Sequence, residues 1–163
     1  MSDYHLPATA EDKVQINELL ARYAWAFDTG DVEGFVGCFT SDGILCEDVF
    51  EEVDRWAGRD EIRSMAKYFL TLPGFPGRQH ITSQVLIEGT TDRCRVRAFC
   101  FVIEARPGQP CAIPFTGYYD DVAVKVEGRW LFKERTIRYW SGPILARFPG
   151  QPGVKVPLKR PQH

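Results

Sequence analysis

The sequence predicts one α+β domain, with helices in the first half of the chain and a largely antiparallel sheet in the second. Apolar residues recur at helical spacing up to about residue 72, and they alternate with a period of two from residue 78 to residue 140. Tight turn signals separate the alternating segments, as in hairpins. Helices followed by hairpin-linked strands are typical of α+β folds, and 163 residues fit a single domain.

The helical spacing predicts three helices, over residues 11–27, 32–39 and 58–72. Thr9 or Asp12 can cap the N-terminus of the first helix, because both carry a short side-chain oxygen acceptor. Gly30 can end that helix in a left-handed conformation, and Asp31 can cap the second helix. These residues predict a tight helix–turn–helix opening for the domain.

Alternation predicts four long strands, over residues 78–88, 94–104, 112–126 and 129–140. A shorter strand over residues 44–50, with a hairpin partner at 53–57, precedes the third helix. A sheet of such long strands must twist and coil, so helices packed on one face can close it into a cone. We therefore divide the chain into three segments: a flexible leader (1–10), the folded domain (11–142) and a Pro/Gly-rich tail (143–163).

The composition argues against several functional classes. The formal net charge is −2, with basic and acidic residues spread along the chain, so no nucleic-acid partner is expected. The five cysteines show no metal-ligand spacing, which predicts no metal site and reduced thiols in a cytoplasmic protein. No stretch approaches the ~20 apolar residues that span a bilayer, so a soluble protein with no membrane partner is expected.

Two residues far apart in the sequence are candidates for acid–base chemistry. Asp28 follows the apolar face of the first helix, where it either faces the sheet or simply ends the helix. His80 begins a strand in which Thr82 and Gln84 share its face, so that face is either solvent-exposed or lines a polar pocket. Histidine exchanges protons near neutral pH, and a carboxylate behind it would fix its tautomer.

Further candidates lie on the predicted sheet. If Phe132 faces inward, alternation places Arg138 and Trp140 on the same face. An inward guanidinium can bind a carboxylate or stabilise an oxyanion, and the alternative is an ion pair with Glu134 or Asp120. The aromatic residues expected in a pocket wall, or otherwise in ordinary core, are Trp25, Phe99, Phe101, Phe115, Tyr119 and Trp140.

Known cofactor motifs are missing from the sequence. It contains no glycine-rich phosphate loop, no dinucleotide fingerprint and no Gly-x-Ser-x-Gly elbow. We therefore expect a reaction that needs no organic cofactor.

The order and spacing of several motifs resemble the SnoaL-like domains of the nuclear transport factor 2-like superfamily. The matching residues are Tyr23, Phe27-Asp28, Gly30-Asp31, Asp42-Gly43, Gly58, Gln79-His80, Gly117, Tyr119 and Gly128-Arg129-Trp130. The resemblance covers roughly residues 11–140. It implies a cone of three helices wrapped by a strongly curved, mixed sheet around an apolar cavity.

Within that superfamily, scytalone dehydratase, bile-acid 7α-dehydratase and a dehydrochlorinase use an Asp–His pair, to which Asp28 and His80 correspond. Tyr23 matches a pocket tyrosine of the bile-acid enzyme, and Arg138 approximately matches a pocket arginine. The second pocket histidine of scytalone dehydratase has no counterpart here. The resemblance therefore implies the acid–base pair without the full set of residues that handles a phenolic substrate.

Together these observations predict a cofactor-independent lyase, most simply a dehydratase, acting on a small polycyclic, terpenoid or aromatic-derived molecule. Two alternatives stay open: an isomerase or cyclase with the same pair, and a non-catalytic module that binds a ligand or a partner protein. The resemblance also implies a homo-oligomer, a trimer in preference to a dimer. The tail over residues 148–158 is apolar enough to contact a neighbouring subunit.

Overall fold

The computed structural model describes residues 6–140, which form three helices and one sheet. The helices are α1 (Ala10–Thr29), α2 (Val32–Val36) and α3 (Gly58–Thr71). The strands are β1 (Phe39–Asp48), β2 (Asp54–Ala57), β3 (Arg78–Gly89), β4 (Arg93–Glu104), β5 (Ala112–Val126) and β6 (Arg129–Tyr139). The predicted α+β class and element order are confirmed. The predicted tail, residues 143–163, and the first five residues of the leader lie outside the described part.

The ends of α1 show why the first helices form where they do. Thr9 is the N-cap: its hydroxyl accepts a hydrogen bond from the Asp12 amide at 3.1 Å, and the Asp12 carboxylate accepts one from the Thr9 amide at 2.9 Å. Gly30 ends the helix with a φ of 77°, a left-handed conformation that glycine adopts without strain. Asp31 then caps α2 through the Gly34 amide, as its sequence position predicts.

The second helix is shorter than predicted, and β1 begins earlier. The helix predicted over residues 32–39 ends at Val36, and residues 40–43, which precede the strand predicted over 44–50, belong to β1. Phe39 is fully buried and pairs with Phe132 of β6, so sheet pairing and burial override the turn-forming composition of the next residues.

The six strands lie in the order β2-β1-β6-β5-β4-β3, with β3 and β2 at the two edges. Only β1 and β6 pair in parallel, and the other neighbouring strands are antiparallel, which confirms a mixed, largely antiparallel sheet. The cone shape and strong curvature stay a prediction. The helices pack on one face of this sheet, and α1 contacts both β3 and β6.

An irregularity in β6 reverses the predicted alternation of its second half. Val122 of β5 pairs with Glu134, but the next residue, Ala123, pairs with Phe132, so Lys133 has no partner in the ladder. An extra residue of this kind is a β-bulge, and it shifts every later side chain to the other face. Arg135 therefore takes the buried position that simple alternation assigns to Glu134.

The described residues contain no helix that is both long enough and apolar enough to cross a membrane.

Candidate active site

Asp28 and His80 meet where the end of α1 lies against the beginning of β3. The Asp28 carboxylate accepts two hydrogen bonds from His80, one from the backbone amide at 2.7 Å and one from ring Nδ1 at 2.5 Å. Both side chains are 16% exposed, so the pair is shielded but reachable. Of the two alternatives that the sequence leaves open for Asp28, the structure shows the one in which its carboxylate faces the sheet.

The bidentate contact determines the chemistry available to His80. Because Asp28 accepts from Nδ1, the neutral ring carries its lone pair on Nε2. Nε2 makes no hydrogen bond within residues 6–140. The ring is held between Phe27, at 5.4 Å between centroids, and Phe75, at 6.5 Å. His80 is therefore an oriented imidazole with one nitrogen free to exchange a proton.

His80 also lies at the boundary between two depressions. An interior cavity of about 310 Å³ is lined largely by apolar and aromatic side chains, among them Phe27, Phe69, Phe75, Val102, Phe115 and Ile137. An outer groove of about 550 Å³ runs between α1 and β3 and includes Asp28, Trp25 and Thr82. Among the described residues, Arg78 and His80 are the two that line both depressions.

Two phenols and a thiol form a polar patch in the cavity wall, from Tyr23, Tyr119 and Cys100. Behind them lies Arg135, whose guanidinium carbon is 4.0 Å from the Tyr23 ring centroid and 3.9 Å from that of Tyr119. Arg135 donates to both carboxylate oxygens of Asp121, and both side chains are fully buried. A cation stacked on two ring faces is a stabilising arrangement in a dry interior.

Burial controls the protonation of this patch. It raises the pKa of Tyr23 and of Tyr119 well above the usual value for tyrosine, and that of Cys100 to about 11. Burial also raises the pKa of Asp121, to about 6, against the opposing charge of Arg135. At neutral pH the two phenols and the thiol are thus protonated, so both phenols are hydrogen-bond donors and not bases.

Four of the predicted aromatic residues lie elsewhere. Tyr119 and Phe115 line the cavity, as expected, but Trp25 is 72% exposed beside the outer groove. The other three form a shallow apolar surface on the sheet face away from the helices, and they are Phe99, Phe101 and Trp140. The sequence does carry the signal that separates these faces. In β4, Phe99 and Phe101 share their parity with Arg93, Arg95 and Arg97, whereas Cys94, Val96 and Cys100 are buried.

The expectation that Arg138 faces the pocket is wrong. Arg138 follows the bulge in β6, and it forms an ion pair at 2.5 Å with Asp48, its register neighbour on β1. Glu47 and Ile137, the adjacent residues on those strands, line the cavity, so Arg138 and Asp48 lie on the opposite face. The inward arginine is Arg135, which sequence reasoning missed because the bulge depends on pairing with β5.

No group of three His, Cys, Asp or Glu residues in the described part of the chain is arranged to hold a metal ion. The five cysteines are free thiols, of which Cys38, Cys94 and Cys100 are buried.

Residues 8–136 match the family described as "SnoaL-like domain". A protein of unknown function with a cystatin-like fold from Nostoc punctiforme shares 26% identity, over 91% of this chain and 100% of that one, with a TM-score of 0.71. A nuclear transport factor 2-like protein from Novosphingobium aromaticivorans shares 21% identity, over 84% and 87%, with a TM-score of 0.71. No curated protein matches the sequence.

A protein provisionally named a scytalone dehydratase, also from Novosphingobium aromaticivorans, is 24% identical over 79% of this chain and 84% of that one, with a TM-score of 0.67. At these identities the structural neighbours establish the nuclear transport factor 2-like fold, and activity has to be argued from the site itself.

Proposed function

The chain belongs to the SnoaL-like domain family, and we propose that it is a cofactor-independent acid–base enzyme, most simply a dehydratase. Its substrate is a compact polycyclic, terpenoid or aromatic-derived molecule that carries a hydroxyl group β to a carbonyl. The supporting observation is the Asp28–His80 contact, with the free ring nitrogen beside an apolar cavity of about 310 Å³. That volume falls in the ordinary range for small-molecule sites.

In the proposed reaction His80 Nε2 removes a proton from the carbon next to the carbonyl. The C–H electron pair forms the enolate, and Asp28 stabilises the imidazolium that results. Tyr23 and Tyr119 donate hydrogen bonds to the enolate oxygen, because both stay protonated. The enolate then expels the β-hydroxyl, which takes the proton from His80 and leaves as water. The product is an unsaturated carbonyl compound, and the enzyme returns to its starting state.

The test is a panel of cyclic β-hydroxyketones, with loss of water followed by mass spectrometry. We expect turnover by the wild type and a loss of about 10²–10⁴ in rate for His80→Ala and for Asp28→Asn. The matched control is Asp31→Asn, three residues further on, where asparagine also caps a helix and the carboxylate lies outside the site. Wild-type rates in either site variant would contradict the proposal.

The same panel in heavy water separates the alternatives. An isomerase would incorporate deuterium next to the carbonyl without losing water. A non-catalytic module would bind a ketone and neither exchange its protons nor dehydrate it. The cavity is not lined by Phe99, Phe101 or Trp140, so these large side chains do not fill it, which supports an enzyme over a module with a filled core.

We also propose that the protein is a homo-oligomer, a trimer in preference to a dimer. The sheet face away from the helices exposes Phe99 (44%) and Ile113 (59%) next to Trp140, an apolar surface that a second copy would cover. Sedimentation of the full chain as a monomer at micromolar concentration would rule this out.

A further inference from the structure

Arg78 is the first residue of β3, two positions before His80. Side chains two apart on a strand share a face, so the guanidinium and the imidazole project to the same side of the sheet edge. Arg78 lines the interior cavity and the outer groove, and within residues 6–140 it shares that position with His80 alone. The positively charged Arg78 therefore lies at the boundary of the two depressions, beside His80, the proposed base.

The Arg78 guanidinium has no polar partner within residues 6–140. It donates no hydrogen bond and makes no ion pair there, and its Nε is buried without an acceptor. Among the described residues, the guanidinium packs against the Phe75 ring, with 5.7 Å between the guanidinium carbon and the ring centroid. Buried donors in native proteins nearly always have an acceptor, so an arginine left in this state invites an explanation.

The carboxylates near Arg78 are already engaged. Glu104, its register partner on β4, forms an ion pair with Arg106, and both oxygens of Asp28 accept from His80. Glu47, on β1, lines the same cavity but forms no ion pair with Arg78. Within residues 6–140, Arg78 is therefore not in ion-pair contact with any carboxylate.

We infer that Arg78 binds a carboxylate group of the substrate and so determines how the substrate is oriented toward His80. This inference rests on the proposed function and narrows it to an anionic substrate. Guanidinium binds a carboxylate in a bidentate fork, which fixes both position and direction. A single unpaired guanidinium above an apolar cavity balances one negative charge, which fits a carboxylate better than a phosphate dianion.

The inference is tested by ligand binding, which does not require turnover. The probes are naphthoate and naphthamide, which differ in charge and share ring and shape, and calorimetry on the full chain measures their affinities. We expect the wild type to bind naphthoate about 10- to 100-fold more tightly than naphthamide, as for hydrogen bonds to a charged partner. Arg78→Gln is expected to abolish that preference, and Arg78→Lys to keep part of it, since lysine retains the charge but not the fork.

One variant serves as the matched control. Arg95→Gln removes the same charge from an exposed ion pair with Asp120, and it should leave the preference intact. Because binding is measured without turnover, a failure of the proposed chemistry remains distinguishable from a failure of this inference. Because the contact is ionic and partly exposed, the preference should fall as salt is raised.

The inference is wrong if the wild type shows no preference for naphthoate, or if Arg78→Gln retains it. Tighter binding of naphthyl phosphate than of naphthoate through Arg78 would overturn the carboxylate assignment. If Arg78→Gln does not fold, Arg78→Lys and the salt dependence provide the test. A naphthoate preference that is unchanged in Arg78→Lys and insensitive to salt contradicts the inference.

Discussion

Two carboxylates flank the same cavity, one paired with a histidine and one with an arginine, and the two pairs differ in almost every physical respect. Asp28 and His80 are each 16% exposed, at the boundary between the cavity and the outer groove. Asp121 and Arg135 are fully buried behind the Tyr23 and Tyr119 rings. The first pair can exchange a proton with a bound molecule, whereas the second cannot be reached by one.

The residue types match these positions. Histidine can both accept and release a proton near neutral pH, which suits the reachable position. Arginine stays charged in proteins, so the two phenols pack against a fixed cation whose buried partner is Asp121. The Asp28–His80 pair is therefore suited to proton transfer, and the Asp121–Arg135 pair to holding the cavity wall in place.

Breaking the buried pair should have the largest effect on stability. Asp121→Ala leaves the Arg135 charge buried without a partner, and we expect the free energy of unfolding to fall by about 3–5 kcal/mol. Urea denaturation measures this. The matched control is the neighbouring Asp120→Ala, which breaks a pair with the half-exposed Arg95 and should cost at most about 1 kcal/mol.

A double replacement separates the cost of the unpaired Arg135 charge from the contribution of the pair itself. Asp121→Leu combined with Arg135→Met removes both charges, and apolar residues of similar size often substitute for a buried pair at little cost. We expect the double variant to be more stable than Asp121→Ala. If all these variants unfold like the wild type, the buried pair does not hold the cavity wall.

A third buried carboxylate allows a test of pH dependence. Asp12 is 2% exposed, and it accepts hydrogen bonds from Lys125 at 2.6 Å, from the Thr9 amide at 2.9 Å and from the Trp130 indole at 3.2 Å. The Lys125 ammonium, followed by the Thr9 amide, holds the pKa of Asp12 well below its usual range. Asp12 thus joins the start of α1 to the β5–β6 hairpin.

The sign of the pH effect follows from linkage. Below about pH 4 the unfolded chain protonates Asp12 while the folded chain does not, so acid favours unfolding. We expect Asp12→Asn to lower the free energy of unfolding by about 1–2 kcal/mol at pH 7, and by progressively less as the pH falls from 5 toward 3. Denaturation at several pH values measures this. Glu11→Gln, an exposed neighbour, should show no such trend, and a constant deficit for Asp12→Asn would contradict the linkage.

Much of the fold follows from local signals. The long strands alternate clearly, and the helix ends carry residues whose side chains satisfy backbone groups, as Thr9, Gly30 and Asp31 do. Asp28 and His80 are candidates by residue type and position, and the family resemblance is what pairs them. Their contact, 52 positions apart, required the structure.

The predictions that differ from the structure concern residues whose position depends on a neighbouring strand and not on the adjacent sequence. Lys133 forms a β-bulge because of the register between β6 and β5, and the sequence of β6 alone does not predict that bulge. The aromatic residues Phe99 and Phe101 were assigned to the cavity on composition alone, although the arginines at the same parity mark that face as the outer one. Phe39 shows a third case, in which burial against Phe132 extends a strand through turn-forming residues.

Arg138 offers the smallest and most discriminating effect, since it lies three residues from Arg135 on the same strand. Its side chain is 38% exposed and its pair with Asp48 faces away from the cavity. Partly exposed ion pairs contribute about 0–1 kcal/mol, so Arg138→Ala should unfold nearly like the wild type in urea and should keep full turnover on any ketone the wild type dehydrates. Loss of turnover with folding intact would mean that Arg138 reaches the substrate after all, and the division of roles between the two faces of β6 would fail.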